Sequence, residues 1–437
     1  MATVDTAIDT SVRDETRTQR WQVVLLLFGI TALVETISIS HVFAFLPLYL
    51  RLVGTPEASV ARWTGVLLSC VFIVGLPLVP FWGAWADKYG RKPIIVRSAI
   101  VEAVVAGLVA TSHNRWQLGG SLFVIGFQLG NTGVMLAALR AAAPAKRVGL
   151  AIALLGIAGP VGTALGPAGG GWLVDHTAIG LRGLFVIDAL LSVAAATLLI
   201  IAYRDVKPGA APIESATTLA KQSILSVVTT PISLLLFMTF SLVLLGRSVV
   251  QPFLPIFVER LHTSQIGLTS AIGFVVGSSS LIGVLLSPTA GALGDKIGYR
   301  RVLAVVTIIA AASLIALPFA PTIPALAVVV AVFGGCLSAF TAMVYTLLAT
   351  LVPEERRSAT LNLAFFPFYV GSILGPFIGA LVVGAGLRWV PVIGALLIVA
   401  GFGVQRRLPR PDNGSRKPPT HRINGEARNR ILSEEKV

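Results

Sequence analysis

The sequence predicts an all-α membrane protein of twelve transmembrane helices, arranged as two six-helix halves related by a pseudo-two-fold axis along the membrane normal. Three observations predict this fold class: an apolar composition, long uninterrupted apolar runs and an internal repeat. Of the 437 residues, 55% are hydrophobic and 12% are charged, and the mean hydropathy is +0.84. A water-soluble domain carries about a quarter of its residues as charged side chains, so this composition excludes a soluble fold.

The apolar runs are continuous, as in the segment VVLLLFGITALV from Val23. Runs of about 20 apolar residues are typical of spanning helices, and the lack of a two-residue alternation disfavours a β-barrel. Twelve runs begin near residues 22, 63, 93, 117, 148, 180, 230, 270, 301, 324, 357 and 387. Lys and Arg concentrate in the loops on the side that holds both termini, which predicts that both termini are cytoplasmic.

An internal repeat divides the chain in two. Four short segments recur in the same order about 208 residues later: FLPLY as FLPIF, GAWADKYGRK as GALGDKIGYR, PAKR as PEER, and GTALGPAGGG as GSILGPFIGA. This spacing indicates a duplicated six-span unit. The predicted domains are a cytoplasmic N-terminal segment (residues 1–20), a first half (21–203), a polar cytoplasmic linker (204–222), a second half (223–405) and a basic tail (406–437) whose composition predicts disorder.

The net charge of +14 does not indicate a nucleic-acid partner, because the basic residues lie in loops and in the tail. Cys70 and Cys336 fall within apolar runs, which predicts free thiols and no metal site. The chain contains no Walker phosphate-binding loop and no H-E-x-x-H pattern, which counts against an ATP-driven pump and a metalloenzyme. We therefore expect no enzymatic activity and no cofactor.

Six plus six spans joined by a polar linker resemble the major facilitator superfamily, whose halves rock around a site near the bilayer midplane. The loop after the second span, GAWADKYGRKPIIV, resembles the signature loop of that superfamily. The resemblance implies a conformational latch, and the alternative is a basic loop that only sets topology. Its second copy has Tyr299 in the place of an arginine, so we expect a weaker latch there. The latch residues are Gly83, Asp87, Gly90, Arg91 and Lys92 in the first copy and Gly291, Asp295 and Gly298 in the second.

The fifth span contains the pattern G-x-x-x-G-P-x-x-G, which resembles the signature of twelve-span drug:proton antiporters. Small residues one turn apart permit close helix packing, and the proline bends the helix because it removes a backbone hydrogen bond. The alternative is that the pattern only packs helices together and has no role in coupling proton movement to substrate transport. The pattern comprises Gly162, Gly166, Pro167 and Gly170, and it recurs in the eleventh span as Gly371, Gly375, Pro376 and Gly379.

One element of that family is missing from the fourth span. Many such exporters carry an arginine ahead of a Gln-Gly pair, whereas this chain reads IGFQLGNTG, with Gly126 near that position. The usual proton-relay assignment therefore does not transfer to this chain.

Ionisable side chains inside spans are costly, so they are candidates for carrying protons. Five are present: Glu35, His41, Glu102, Asp188 and Arg247. The resemblance places the first, fourth, seventh and tenth spans around the cavity, which ranks Glu35 and Arg247 first. The repeat aligns Arg247 about one turn beyond Glu35, so we expect these side chains to meet across the halves, with a static ion pair as the alternative.

The other three ionisable groups have less central predicted positions. We expect Glu102 to make an interhelical hydrogen bond. We expect Asp188 to pair either with Arg182 or with a neighbouring span. His41 lies toward the outer end of the first span. Two roles stay open for it: a proton shuttle, or a hydrogen-bonded histidine at the membrane interface.

Aromatic and amide side chains in the cavity-lining spans suit a large amphipathic ligand, although each could instead face lipid or a neighbouring helix. These candidates are Gln128, Asn131, Phe240, Phe340 and Tyr345. The resemblance predicts a proton-driven multidrug exporter of small hydrophobic or amphipathic compounds, monomeric in the bacterial inner membrane. Two other functions stay open: a transporter of a metabolite such as a sugar, and a non-transporting receptor or scaffold, which would not need the hinge glycines.

Overall fold

The computed structural model describes residues 19–205, 225, 227–263, 267–352 and 366–408. Within these ranges every regular element is a helix, and no strand occurs. Eleven of the helices are long and apolar enough to cross a membrane, and the further apolar helix Trp389–Gln405 has 17 residues. The predicted all-helical, twelve-span fold is therefore confirmed, and the chain is a multi-span membrane protein.

We number the spanning helices in chain order. In the N-terminal half, α1 is Trp21–Leu52, α2 comprises Glu57–Ile73 and Gly75–Tyr89, α3 is Arg91–Ala110, α4 comprises Arg115–Val124 and Asn131–Ala142, α5 is Val148–His176 and α6 is Gly180–Ala202. In the C-terminal half, α7 comprises Pro231–Val250 and Leu254–Leu261, α8 is Leu268–Ile297, α9 is Tyr299–Ala316, α10 is Ile323–Leu351, α11 is Phe366–Val382 and α12 is Trp389–Gln405.

The predicted starts of the spans agree with these bounds to within about six residues. The exception is α11, because its predicted start near residue 357 lies outside the described residues. Most of the predicted linker and the predicted tail also lie outside them.

Each half packs its first helix against its fifth: α1 lies on α5, and α7 lies on α11. The core of the C-terminal half is built around buried rings, including Phe240, Phe253 and Phe340. Two smaller apolar clusters stabilise the N-terminal half, one around Phe28 and the other around Tyr49.

Two helix pairs form most of the interface between the halves: α5 with α8, and α2 with α11. Glycines let the backbones touch there. A Cβ at Gly273 would collide with the carbonyl oxygen of Pro167, and one at Gly65 would collide with that of Pro376. Because α2 and α8 are repeat equivalents, as are α5 and α11, the two contacts obey the pseudo-two-fold symmetry.

The two ends of the bundle differ. At one end, which we call the basic end, Gly90 joins α2 to α3 with φ +99°, and Gly298 joins α8 to α9 with φ +96°. Only glycine adopts this backbone region without strain, so both turns of the repeated loop require it. The opposite end, where α1 ends, we call the Arg51 end.

Candidate coupling and substrate site

Glu35 lies in the middle of α1, with 8% of its surface exposed. Its carboxylate accepts hydrogen bonds from the Ser98 hydroxyl of α3 at 2.6 Å and from the Asn131 amide of α4 at 2.7 and 2.9 Å. Asn131 reaches it because α4 is broken: Gly130 has φ +93°, and Asn131 begins the second segment of the helix. The carboxylate therefore joins three helices of the N-terminal half.

The predicted contact between Glu35 and Arg247 is wrong in this structure. The hydrogen-bond donors of Glu35 come from α3 and α4 of its own half. These neutral donors satisfy the carboxylate, so no cation from the other half is needed beside it. Arg247 lies on α7 beside Gly246, whose backbone packs against Gly394 of α12.

The cation that interacts electrostatically with Glu35 is Arg97 of α3. Its guanidinium lies 3.5 Å from the centre of the Trp82 ring and donates to the carbonyl oxygens of Gln128 and Leu129 at 3.2 and 3.3 Å. The break in α4 leaves these carbonyl oxygens without the backbone hydrogen bonds of a continuous helix, so they can accept from Arg97. Arg97 was not among the predicted site residues, because it lies close to the predicted start of the third span.

The structure also shows why the fourth span carries no arginine at Gly126. A Cβ there would lie 2.5 Å from the Val74 side chain and 2.8 Å from the backbone nitrogen of Gly75. A longer side chain has no space at this crossing of α2 and α4. Arg97 brings its charge to the same break from α3 instead.

The Glu102 carboxylate faces the side chains of Ser38 and Gln128 of neighbouring spans, but the predicted interhelical hydrogen bond is not formed with hydrogen-bonding geometry. Both of its carboxylate oxygens are buried, and neither has a hydrogen-bond partner among the described residues. They lie in a small cavity lined by Ser38, Gln128 and apolar side chains, with room for about one water molecule. Gln128 is therefore part of this internal cavity, and Asn131 belongs to the Glu35 cluster.

His41 and Asp188 form a buried pair between α1 and α6. Nδ1 of His41 lies 2.8 and 3.1 Å from the two carboxylate oxygens of Asp188, and the side chains are 4% and 1% exposed. Nε2 of the same ring lies 2.8 Å from the carbonyl oxygen of Gly166 in α5. Pairing of Asp188 with a neighbouring span is thus confirmed, and pairing with Arg182 is wrong, because that guanidinium donates to the carbonyl of Ser112.

The glycine motif of α5 forms the groove in which α1 lies. A Cβ at Gly162 would collide with Thr36, one at Gly166 with Ser40, and one at Gly170 with the His41 ring. In the second copy, Gly371 faces the α7 backbone at Leu244, Gly375 faces Ser248 and Gly379 faces Phe253. Pro167 and Pro376 lie inside their helices. Close packing at both motifs is confirmed.

The first latch loop is anchored to the end of α6. The backbone N–H of Lys92 donates to the carboxylate of Asp205 at 2.9 Å, and its ammonium donates to the carbonyls of Ile200 and Tyr203 at 2.6 and 2.7 Å. Asp205, which the sequence analysis placed in the linker, was missed. The predicted roles of Gly83 and Asp87 rest on side chains outside the described part of the chain.

The second latch copy is anchored differently. The Tyr299 hydroxyl donates to the carboxylate of Asp295, one turn away, so Asp295 bonds within its own loop. Gly291 has open space around it. No cation occupies the position of Arg91 in this copy.

Replacing Gly90 with alanine should lower the melting temperature of the purified protein. With φ +99° and ψ 158°, Gly90 lies in a backbone region where a side chain costs about 1–3 kcal/mol, and a Cβ would lie 2.7 Å from the Asp205 carboxylate. Gly107→Ala is the matched control, because Gly107 lies in α3 with nothing within 4 Å of its Cβ position. Thermal unfolding in detergent measures both, and equal melting temperatures for the two variants would contradict the strain argument.

The chain matches the family model described as Major Facilitator Superfamily over residues 24–276 and 236–433. The chain belongs to the major facilitator superfamily. It is therefore a membrane transporter, and the two matched ranges overlap and together cover residues 24–433.

Relatives within the superfamily carry names of drug-resistance transporters. The chain is 29% identical over 388 residues to a "Multi-drug resistance efflux pump PmrA homolog" from Lactococcus lactis, covering 88% of this chain and 94% of that protein. It is also 29% identical over 395 residues to "Multidrug resistance protein MdtG" from Klebsiella pneumoniae, covering 88% and 93%.

Solved structures of the superfamily share the fold. The nucleoside transporter NupG matches with a TM-score of 0.72 and 16% identity, over 88% of this chain and 98% of that one. A bacterial homolog of the human lysosomal transporter Spinster, in an inward-facing and occupied conformation, matches with a TM-score of 0.72 and 16% identity, over 88% and 95%.

The predicted aromatic wall of the superfamily cavity is corrected by the structure. Phe240 and Phe340 are 1% exposed and pack in the core of the C-terminal half, where the Phe240 ring lies 6.2 Å from Phe340 and 5.7 Å from Tyr345. Tyr345 is half-buried beside them. Apolar residues surround every side of a spanning helix, so the sequence did not show which face points inward.

A different aromatic cluster joins the halves. Phe72 of α2 lies 5.8 Å from Phe368 and 6.2 Å from Tyr369 of α11, and 6.3 Å from Phe43 of α1. Phe43, Phe368 and Tyr369 keep part of their surface exposed. This cluster was not among the predicted site residues, although the run FFPFY in the eleventh span was a visible signal of it.

Polar contacts join the halves at the Arg51 end. Arg51 forms an ion pair with Glu259 at 2.8 Å. The carboxylate of Asp175, at the end of α5, accepts the backbone N–H of Ser270 at 2.6 Å, and the Thr269 hydroxyl donates to the carbonyl of Gly171 at 2.9 Å. Asp175 therefore caps the first turn of α8, and the Arg51 end is closed in this conformation.

Replacing Asp175 with alanine should shift the protein toward conformations open at the Arg51 end. Loss of a helix cap is worth about 1 kcal/mol, which is about a fivefold change in population. Spin labels at exposed His113 and Phe319, one in each half, report the opening as longer distances. Thr177→Ala is the control, because its hydroxyl bonds only the Leu173 carbonyl of α5 among the described contacts, and an equal shift there would contradict the role of Asp175.

Proposed function

We propose that this transporter exports small hydrophobic or amphipathic compounds in exchange for protons, by alternating access in a bacterial inner membrane. The observation that carries the proposal is the buried carboxylate of Glu35, placed mid-span and shared by α1, α3 and α4. An ionisable group at this depth in a membrane is energetically costly, so its presence supports a role in transport. The names of the relatives, multidrug efflux pump and multidrug resistance protein, support drugs as the substrate class.

The aromatic cluster of Phe43, Phe72, Phe368 and Tyr369 is the proposed substrate contact. Its rings come from both halves. A compound bound between the rings would therefore contact both halves in one conformation and lose these contacts when the halves move apart. Flat apolar rings with one phenolic hydroxyl favour hydrophobic compounds of varied shape over sugars, which need several hydrogen bonds. This contact favours drug export over metabolite transport.

Export needs a defined orientation. We propose that the basic end faces the cytoplasm with both termini, since Lys and Arg concentrate there. Reporter fusions after Asp205 and after Gln405 should both report a cytoplasmic location. A periplasmic signal from either fusion would contradict this topology.

Transport in membrane vesicles tests the function. Inverted vesicles with an imposed pH gradient, acidic inside, should accumulate cationic and neutral amphipathic dyes, and a protonophore should abolish this uptake. The same vesicles should not accumulate sugars or nucleosides. Dye accumulation that persists without a pH gradient, or gradient-driven sugar uptake, would overturn the proposal. We further propose that the protein acts as a monomer without a cofactor.

A further inference from the structure

The His41–Asp188 pair lies at the point where the glycine motif meets both the first helix and the second half. The His41 ring also contacts the carbonyl of Gly166, which is a residue of that motif. On the other face of the same segment of α5, Pro167 packs against Gly273 of α8. A change at His41 is therefore one helix away from the interface between the halves.

The contacts of His41 require a definite number of protons. A carbonyl oxygen only accepts, so Nε2 must carry a hydrogen to bond Gly166. Nδ1 faces the Asp188 carboxylate, so a second hydrogen must lie between these two groups. This hydrogen resides on the imidazole or on the carboxyl, and the total is the same in both cases.

Removal of one proton breaks the arrangement. A neutral imidazole has a single N–H, and an ionised Asp188 has none to give. One of the two contacts of His41, to Gly166 or to Asp188, must then place two acceptors against each other. The ring is 3% exposed, which leaves little room for water to replace the missing hydrogen.

We propose that His41, Asp188 and Gly166 form a proton-dependent clasp: a bound proton docks α1 on the glycine motif of α5, and release of the proton undocks it. The inference rests on the proposed proton coupling and names the site where the proton acts on the conformation. The clasp is formed in this structure, in which the Arg51 end is closed. Proton binding therefore favours closure of the Arg51 end, and proton release favours opening.

Other titratable groups near the clasp have separate positions. Glu102 of α3 interacts electrostatically with Asp188. Asp175 and His176 lie further along α5. The Asp175 carboxylate accepts from the backbone of Ser270 in α8, and the His176 ring contacts the Trp172 carbonyl of its own helix. Arg182, on the same helix as Asp188, bonds a backbone carbonyl. Glu102 is therefore the competing site that an experiment must separate from the clasp.

The test is the pH profile of the conformational equilibrium. Spin labels at His113 and Phe319, in a background without Cys70 and Cys336, measure opening at the Arg51 end over a series of pH values. In the wild type the open population should rise with pH by up to about tenfold per pH unit, the limit for one proton.

Two variants should remove this dependence in opposite directions. In Asp188→Asn the amide can donate a hydrogen bond to Nδ1 of His41, while Nε2–H still donates to the Gly166 carbonyl. The clasp therefore stays formed with a neutral ring, and the closed state should dominate at every pH. In His41→Leu neither contact exists, so the open state should be populated at every pH. His176→Gln, which changes an exposed histidine on α5, should keep the wild-type profile.

The outcomes separate the alternatives. A wild-type pH profile in Asp188→Asn would overturn the proposal, as would a profile abolished by Glu102→Gln and kept in Asp188→Asn. Melting temperatures check that each variant is folded, and the opposite shifts of the two clasp variants exclude simple loss of structure. If the pH profile is found but a pH gradient drives no dye transport in wild-type vesicles, the clasp stands and the proposed export function fails.

Discussion

Replacing Gly166 with valine should reduce dye export by more than about tenfold and lower the melting temperature. A Cβ at this position collides with the Ser40 side chain and lies 3.0 and 3.1 Å from the backbone O and Cα of Ile37. Backbone does not yield as a flexible side chain does, so α1 must move away from α5. Overpacking of this kind costs about 1–3 kcal/mol.

Loss of function at Gly166 should exceed what the loss of stability explains. The same displacement pulls His41 from the Gly166 carbonyl, to which Nε2 is bonded at 2.8 Å. Gly169→Val is a matched control on the same helix, because the Cβ position at Gly169 has nothing within 4 Å. Export rates in vesicles, normalised to the amount of folded protein, should fall for Gly166→Val and stay near wild type for Gly169→Val. Equal rates for the two variants would show that the groove is only a packing seam of low importance.

The spans and the repeated turns could be predicted from the sequence because each depends on a local pattern. Apolar runs of spanning length follow from the thickness of the bilayer, and they placed α1 to within about one residue. The repeat placed Gly90 and Gly298 at equivalent positions of the repeated loop, and the structure gives both the positive φ that requires glycine.

The partners of the buried charges could not be predicted, because they depend on rotation and on breaks of the helices. The break at Gly130 turns Asn131 toward Glu35, and the glycines of IGFQLGNTG permit a break without showing which side chain it turns inward. Arg97 looked like a loop residue by its position near the end of an apolar run, yet its guanidinium lies on the Trp82 ring inside the bundle. In a membrane, apolar side chains cover every face of a helix, so sequence periodicity does not fix which face points inward.

Replacing Glu35 with glutamine should abolish uphill export while substrate binding is retained. Of the acidic groups in the described spans, Glu35 is the one whose carboxylate bridges α1, α3 and α4 mid-span. Glutamine has nearly the same shape and keeps one carbonyl oxygen for Ser98 or Asn131, so the variant should fold. The glutamine has no acidic proton to release when substrate binds, so substrate binding and proton release are no longer linked at this site, and an imposed pH gradient should no longer drive accumulation. The accumulation ratio should fall to about 1, the value for passive equilibration.

Exchange of substrate between the two sides, measured without a pH gradient, should continue in Glu35→Gln, because alternating access itself needs no proton on this residue. Glu57→Gln is the control, since Glu57 is an exposed carboxylate that bonds only Arg51 among the described contacts. It should accumulate dye as the wild type does. A variant that neither accumulates nor exchanges substrate would show that Glu35 holds the helices together and does not act in coupling.

Proton release on substrate addition separates a coupling role for Glu35 from the clasp. When a cationic dye binds near an ionisable carboxyl, the positive charge favours the carboxylate, and the proton leaves to the medium. Wild-type protein in weakly buffered detergent should therefore acidify the solution on dye addition, and Glu35→Gln should not. Asp188→Asn should still release the Glu35 proton, because its amide change lies at the clasp and leaves the Ser98 and Asn131 contacts in place. If Glu35→Gln releases protons as the wild type does and still drives uphill export, Glu35 is a structural partner of Asn131, and the coupling proton is carried at His41 and Asp188.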